Sequence, residues 1–261
     1  MSTTPEFLLN PSLGAPKGSD APLGPSSAFR WSACPISARL IQTLPQTPAG
    51  DAAKAGTLLH KVFERLLYGG AGLNSAEIAE LERLGMRQTL ALAILESGVK
   101  STHDLLAQHS IRAIALETRV DPGAVIGRVD FWGTADLLGV NEQTKTLLVL
   151  DFKTGRHPVE VTDNLQLLAY ALGALDTITF EPQQIVLAIV QPIAFGALAQ
   201  TQTISLDVLD RFSEWIGERA LATDDPHATP QPSAESCRWC PARSICPAEP
   251  LLCRRCYELT I

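Results

Sequence analysis

The period of apolar and polar positions changes several times along the chain, and each change predicts an element. In "AAKAGTLLHKVFERLLYGG" Leu59, Val62, Phe63, Leu66 and Leu67 recur at helical spacing, and paired glycines supply a stop. This predicts a helix with His60 on or beside its buried face. Residues from about Ala76 to Gln108 read as one or two further helices. The period then shortens. "IRAIALETRV", "AVIGRVDFW" continuing into "TADLLGV", and "KTLLVLDFK" have β-branched or alternating character, and the turn "NEQT" joins the last two. "DNLQLLAYALGAL" predicts a helix opening at an Asp163 N-cap, "QQIVLAIVQP" a buried strand stopped by Pro192, and "LDVLDRFSEWIGERALA" an amphipathic helix. Strands joined by short turns pair antiparallel, whereas the helix before the last strand permits a parallel crossover. The expected fold class is therefore α/β, a mixed central sheet flanked by helices.

Composition adds limits. A chain of 261 residues with 46% hydrophobic content can hold one large domain or two small ones. The Pro-, Gly- and Ser-rich start predicts a disordered arm over residues 1–27, followed by the main domain over 28–222. "TDDPHATPQPSAES" opens a linker and cysteine-rich tail over 223–261. A net charge of -7 argues against indiscriminate coating of nucleic acid but leaves room for a locally basic cleft. No leader pattern opens the sequence and no run approaches the roughly 18 apolar residues of a membrane span, so the expectation is a cytoplasmic protein without a membrane partner.

The candidate chemistry begins at "VLDFKTGRHP". Side chains alternate along a strand, so Asp151 and Lys153 point the same way at its end. Asp136, in "GTAD", enters the strand expected to pair with this one. Two converging carboxylates repel unless a hard cation such as Mg²⁺ or Mn²⁺ neutralises them, and the lysine would then orient or deprotonate a metal-bound water. The plain alternative is a structural ion pair. "GRVDFWGTAD" offers Asp130 as well as Asp136; Asp136 is favoured because a short turn links its strand to Asp151. Glu117 and Glu64 are weaker candidates for supporting or second-metal roles, and Arg156 and His157 for a phosphate grip; solvated surface charges are the ordinary reading of all four.

Without a leader, six cysteines suggest metal binding rather than disulfides. Cys237, Cys240 and Cys246 form C-x2-C-x5-C. Alternatively, Cys237, Cys240, Cys253 and Cys256 give two C-x2-C pairs suited to Zn²⁺ in the tail alone.

The series "GTAD", "VLDFKTG" and "NLQLLAYALG" resembles the motifs of the RecB-like branch of the PD-(D/E)XK nucleases. "GTLLHKVFE" resembles that branch's preceding helix with its metal-binding histidine, and "FRWSACPISARL" with "SCRWCPARSICPA" its flanking cysteine segments. Within the branch the likeness is to phage-encoded RecB-like exonucleases related to the CRISPR-associated iron–sulfur exonucleases, and it extends from Ala28 to Ala248. It implies a restriction-endonuclease-like fold with inserted helices and a metal-dependent deoxyribonuclease, an exonuclease of phage recombination or DNA processing. His60, Asp136 and Asp151 would be metal ligands, with the Phe152 carbonyl a fourth, and Lys153 the catalytic lysine. Gln166 and Tyr170 match the Q-x-x-x-Y pair; at i and i+4 they share a helix face, to support the site or touch DNA, although an ordinary half-buried face would look the same. The resemblance also implies a [4Fe-4S] cluster on Cys34, Cys237, Cys240 and Cys246, which leaves Cys253 and Cys256 unassigned. A phage single-strand-annealing protein would be the partner, and a phage origin would place the protein in the host cytoplasm. The competing function is a non-catalytic DNA-binding or assembly module that keeps the fold and the cysteine-bound metal.

Overall fold

The computed structural model describes residues 21–45, 47–196 and 198–248. The elements that build the two faces of the molecule come first in the chain: α1 (Ala28–Trp31), α2 (Ile36–Gln42), α3 (Asp51–Leu67), α4 (Ser75–Arg83) and α5 (Gln88–Gln108). The sheet and its connections follow as β1 (Arg112–Val120), α6 (Pro122–Ile126), β2 (Gly133–Asn141), β3 (Thr146–Phe152), α7 (Leu165–Ala174), β4 (Gln184–Val190), α8 (Pro192–Phe195), β5 (Gln200–Ile204), α9 (Leu206–Ala222) and α10 (Ala234–Arg238).

The five strands lie side by side in chain order. β1 and β2, β2 and β3, and β4 and β5 are antiparallel, while β3 and β4 run parallel across the α7 crossover. Helices cover both faces of β3 and β4. Every residue of "TLLVLDF" is buried, which is why this segment reads as an unbroken apolar run instead of an alternating one. Leu147 and Val149 join the core beneath α7 and α9, whereas Leu148, Leu150 and Phe152 join the core beneath α3 and α5. Odd positions of β3 therefore face one layer and even positions the other, and Asp151 falls on the α7 side. Among the described residues no helix is long and apolar enough to cross a membrane.

Four expectations need correction. The stretch "AVIGRVDFW" is not a strand: Asp121 caps α6 by accepting from Ala124 N–H at 3.2 Å, Pro122 occupies the first turn, and Gly127 ends the helix with φ of 73°. These start and stop signals override the β-branched residues between them. The N-cap of α7 is Asn164, whose Oδ1 accepts from Gln166 and Leu167 N–H at 3.1 Å each, while Asp163 stands outside with φ of 51°. Folded structure begins earlier than residue 28: Leu23 is 1% exposed and its N–H donates to the Asp130 carbonyl, and Pro25–Ser27 forms a turn of 3₁₀ helix. β5, "QTQTI", escapes the periodicity reading because it is a polar edge strand with one buried residue.

Gly98 of α5 lets that helix approach β3 closely. A Cβ there would lie 2.6 Å from the Phe152 ring, which cannot retreat because it stacks on Phe63 with centroids 4.0 Å apart. Gly98→Ala is expected to destabilise the fold by about 1–3 kcal/mol. Urea unfolding checks this, and an unchanged midpoint would contradict the packing described.

Candidate active site at the end of the third strand

The end of β3 is where the two helical layers meet, and side chains from both converge there. Asp151 is 4% exposed. Its Oδ1 accepts from Gln166 Nε2 at 2.9 Å, and its Oδ2 lies 2.9 Å from Lys153 Nζ. Lys153 Nζ donates in turn to Gln166 Oε1 at 2.9 Å. Gln166 Nε2 also donates to the Tyr170 hydroxyl at 2.9 Å, so this amide holds a carboxylate, an ammonium and a phenol at once. Asn164 anchors the first turn of α7 and thereby sets the angle at which Gln166 enters.

From the opposite layer, α3 delivers His60. Its Nδ1 lies 3.2 Å from Asp136 Oδ1 and 3.5 Å from Glu117 Oε1. Asp136 Oδ2 accepts the Phe152 N–H at 2.6 Å, which ties β2 to the strand end between Asp151 and Lys153. His60, Glu117 and Asp136 each offer a ligand atom, all within 4.8 Å of one another. Glu117 falls between the register pairs Leu116↔Leu137 and Thr118↔Ala135, which puts it opposite Asp136, and its φ of 44° is left-handed. Like charges directly opposite in a ladder are destabilising, and a non-glycine residue in this backbone region is uncommon. Glu117 Oε1 is buried with His60 Nδ1 3.5 Å away, and Asp151 Oδ2 is buried against the Lys153 ammonium. An acidic cluster with a histidine is a donor set that a divalent cation fits.

The electrostatics follow from this crowding. Burial works against a charge on His60, but the Asp136 carboxylate and then Glu117 prevail, and its pKa is pushed up to about 10. Burial pushes the Asp151 carboxyl up, with the Lys153 ammonium opposing and Asp136 adding to the rise. Burial disfavours the Lys153 ammonium, yet the Asp151 carboxylate holds its pKa above the ordinary lysine range. Burial and then the Asp151 and Asp136 charges keep Tyr170 neutral well past the usual phenol range.

For metal-free protein these shifts set a pH dependence. The folded-state pKa of His60 is raised above its unfolded value near 6.5, so its contribution is fully present below that unfolded value and is lost as pH rises through about 10. The urea-midpoint difference between wild type and His60→Gln, measured in chelator, should shrink over that window. A difference that grows would contradict it.

The two acid candidates of "GRVDFWGTAD" have different surroundings. Asp130 pairs with Arg128 at 2.8 and 2.7 Å, which holds its carboxyl below the usual range, and Arg128 also reaches Asp224. Asp136 is the one beside His60 and β3. Glu64, one turn after His60, has its carboxyl raised by partial burial and by the Glu117 charge but stands outside the cluster. Arg156 and His157 are exposed in the loop after Lys153. Glu117, a weaker candidate from the sequence, lies in the cluster; the expected pairing of its strand with "GTAD" is a signal for this, but only the register places it opposite Asp136.

A second cluster lies apart. Cys34, Cys237, Cys240 and Cys246 line one apolar cavity together with Leu40 and Ala242. None is in a disulfide. Cys34 is buried, which pushes its thiol up, and its Sγ accepts from the Gln231 N–H at 3.4 Å. A tetrahedral zinc with Zn–S bonds of about 2.3 Å would bring its sulfurs to about 3.8 Å from each other. Among the described residues no three cysteine sulfurs lie within 4.8 Å of one another. Cys253 and Cys256 lie outside the described residues.

A family model described as a protein of unknown function (DUF2800) matches residues 20–251. Among solved structures, that of SSO0001 is similar at 16% identity and a TM-score of 0.35, over 74% of this chain and 96% of that one. That of LHK-Exo in complex with dAMP is similar at 10% identity and a TM-score of 0.31, over 77% of this chain and 90% of that one. At these scores neither likeness bears on the chemistry of the site.

Proposed function

Because the chain belongs to the DUF2800 family, for which no function is described, its chemistry must be sought in the site, and we propose a metal-dependent nuclease of the PD-(D/E)XK type that hydrolyses DNA phosphodiester bonds. The observation that carries this reading is the convergence of His60, Glu117 and Asp136 beside the Asp151–Lys153–Gln166 triangle. Asp136, Asp151 and His60 would hold Mg²⁺ or Mn²⁺, with Glu117 and the Phe152 carbonyl as further donors; an imidazole among them tilts the choice toward Mn²⁺. The ion would supply Lewis acidity toward the phosphate and a more acidic water.

The protein's own groups do the rest. Lys153, protonated beside Asp151, has no lone pair with which to take a proton. It acts as a donor, orienting the attacking oxygen and stabilising charge that develops on the phosphoryl oxygens. Gln166 keeps the ammonium and the carboxylate in register, and Tyr170, neutral and buried, fixes the amide. His60 must shed its proton to serve as a ligand, so ion binding should release protons near neutral pH.

Exonuclease action, and a single-strand-annealing partner in a phage pathway, are the forms of this activity that the motif resemblance favours. Incubation of purified protein with labelled linear and circular DNA and Mn²⁺ tests the nuclease and its dependence on DNA ends. Cleavage confined to linear DNA is expected; inertness of both substrates across metals would leave a non-catalytic DNA-binding module.

For the four cysteines, which share one cavity, the motif resemblance favours a [4Fe-4S] cluster over a lone Zn²⁺. Anaerobically purified protein should be brown, and Cys34→Ser should lose the colour. A colourless protein carrying zinc would refute the cluster.

A further inference from the structure

The loop that follows Lys153 and the cysteine segment touch at one place. The rings of His157 and Trp239 lie 5.4 Å apart at 59°. Trp239 stands between Cys237 and Cys240, is 59% exposed, and has the Arg238 guanidinium 5.3 Å from its centre. Arg156, also exposed, precedes His157. Single exposed aromatic side chains need no explanation. This one lies against the His157 ring, with the Arg238 guanidinium beside it, which makes it different.

The loop is fixed by Gln191, 1% exposed at the end of β4. Its Nε2 donates to the Gly155 and His157 carbonyls at 2.9 and 2.7 Å, and its Oε1 accepts the Val159 N–H at 2.9 Å. A buried amide with all these bonds made gives the loop one conformation. On the tryptophan side, Cys237 and Cys240 line one cavity with Cys34. The two segments together present an indole, an imidazole and two guanidinium groups to solvent. His157 is four residues past Lys153, so its backbone is at most about 14 Å from that of Lys153. That is about four nucleotides of a stacked strand.

Resting on the nuclease reading, we propose that Trp239 and His157 form a stacking platform for an unpaired nucleobase of the strand that enters the site, with Arg156 and Arg238 gripping its phosphates. Every base has a face that stacks on an indole, so the platform takes single-stranded DNA without regard to sequence. In a duplex the same faces are occupied by neighbouring bases. An acidic protein gains by this a local hold on its substrate that its total charge does not provide.

The test uses the full chain in chelator, with anisotropy of labelled oligothymidine, an abasic strand of equal length, and a blunt hairpin. Wild type should prefer oligothymidine to the abasic strand. Trp239→Ala should weaken oligothymidine binding about 5- to 150-fold, Trp239→Phe only a few-fold, and neither should alter abasic binding, whereas Arg156→Ala should weaken both. Equal affinity of wild type for the two strands overturns the platform without any variant, which covers the case in which Trp239→Ala misfolds. So does unchanged oligothymidine binding by Trp239→Ala. Cleavage in Mn²⁺ is read separately: a protein that cuts but shows no base preference loses only the platform, and one that prefers bases but never cuts loses only the nuclease.

Discussion

Lys153→Met is expected to slow Mn²⁺-dependent DNA cleavage by about 10²- to 10⁴-fold, the range over which a positioned proton donor or charge contributes. Methionine keeps much of the apolar stem, so the change isolates the ammonium. Lys153 lies 2.9 Å from both Asp151 Oδ2 and Gln166 Oε1, and its loss leaves Asp151 buried with the Gln166 amide alone. In metal-free protein that unpaired carboxylate should lower stability. Saturating Mn²⁺ should restore much of the loss, because the cation takes over the role of counter-charge. Cleavage rates and melting temperatures with and without Mn²⁺ check both halves. Cutting within tenfold of wild type would remove the amine from the mechanism.

Asp136→Asn separates holding an ion from holding the fold. The asparagine oxygen can still accept the Phe152 N–H that Asp136 Oδ2 accepts at 2.6 Å. The negative charge opposite Glu117 disappears, and with it a like-charge contact across β1 and β2. His60 loses its first carboxylate partner at the same time. Metal-free stability should therefore stay near that of wild type. The response to metal should not. At about 100 times its dissociation constant, Mn²⁺ should stabilise wild type by about 2.7 kcal/mol and the variant by almost nothing, and cleavage should fall at least about 100-fold. Calorimetry with Mn²⁺ reads the first and gel assays the second; equal stabilisation of both proteins would take Asp136 out of the ion's coordination.

Much of the sheet was legible because its buried strands are pure in composition. "TLLVLDF" and "QIVLAIV" carry nothing that competes with a strand reading, and the polar end of the first, Asp151 and Lys153, stood out against it. The helix over "PGAVI" is hidden because its β-branched residues outweigh the short Asp121–Pro122 cap signal, although backbone geometry follows the cap. β5 was missed because an edge strand with one buried side chain has no apolar period to detect. Of the site, the common direction of Asp151 and Lys153 follows from strand alternation, whereas Gln166 came only from the motif resemblance. The place of Glu117 depends on register, and register depends on the irregularity between Ala113 and Ala115, where the β1–β2 pairing shifts. No local pattern in "RAIALETRV" announces that shift. The Trp239–His157 contact joins segments with no sequence relation to each other.

The cysteine cavity draws Cys34 from one end of the described chain and Cys237, Cys240 and Cys246 from the other. During synthesis the first thiol leaves the ribosome long before its companions, with the whole sheet still to be made in between. Its pocket cannot be finished until residue 246 has emerged, so the Cys34 thiol waits without its cysteine neighbours while the sheet is made. Closing this corner therefore comes after the strands between the two segments have been synthesised.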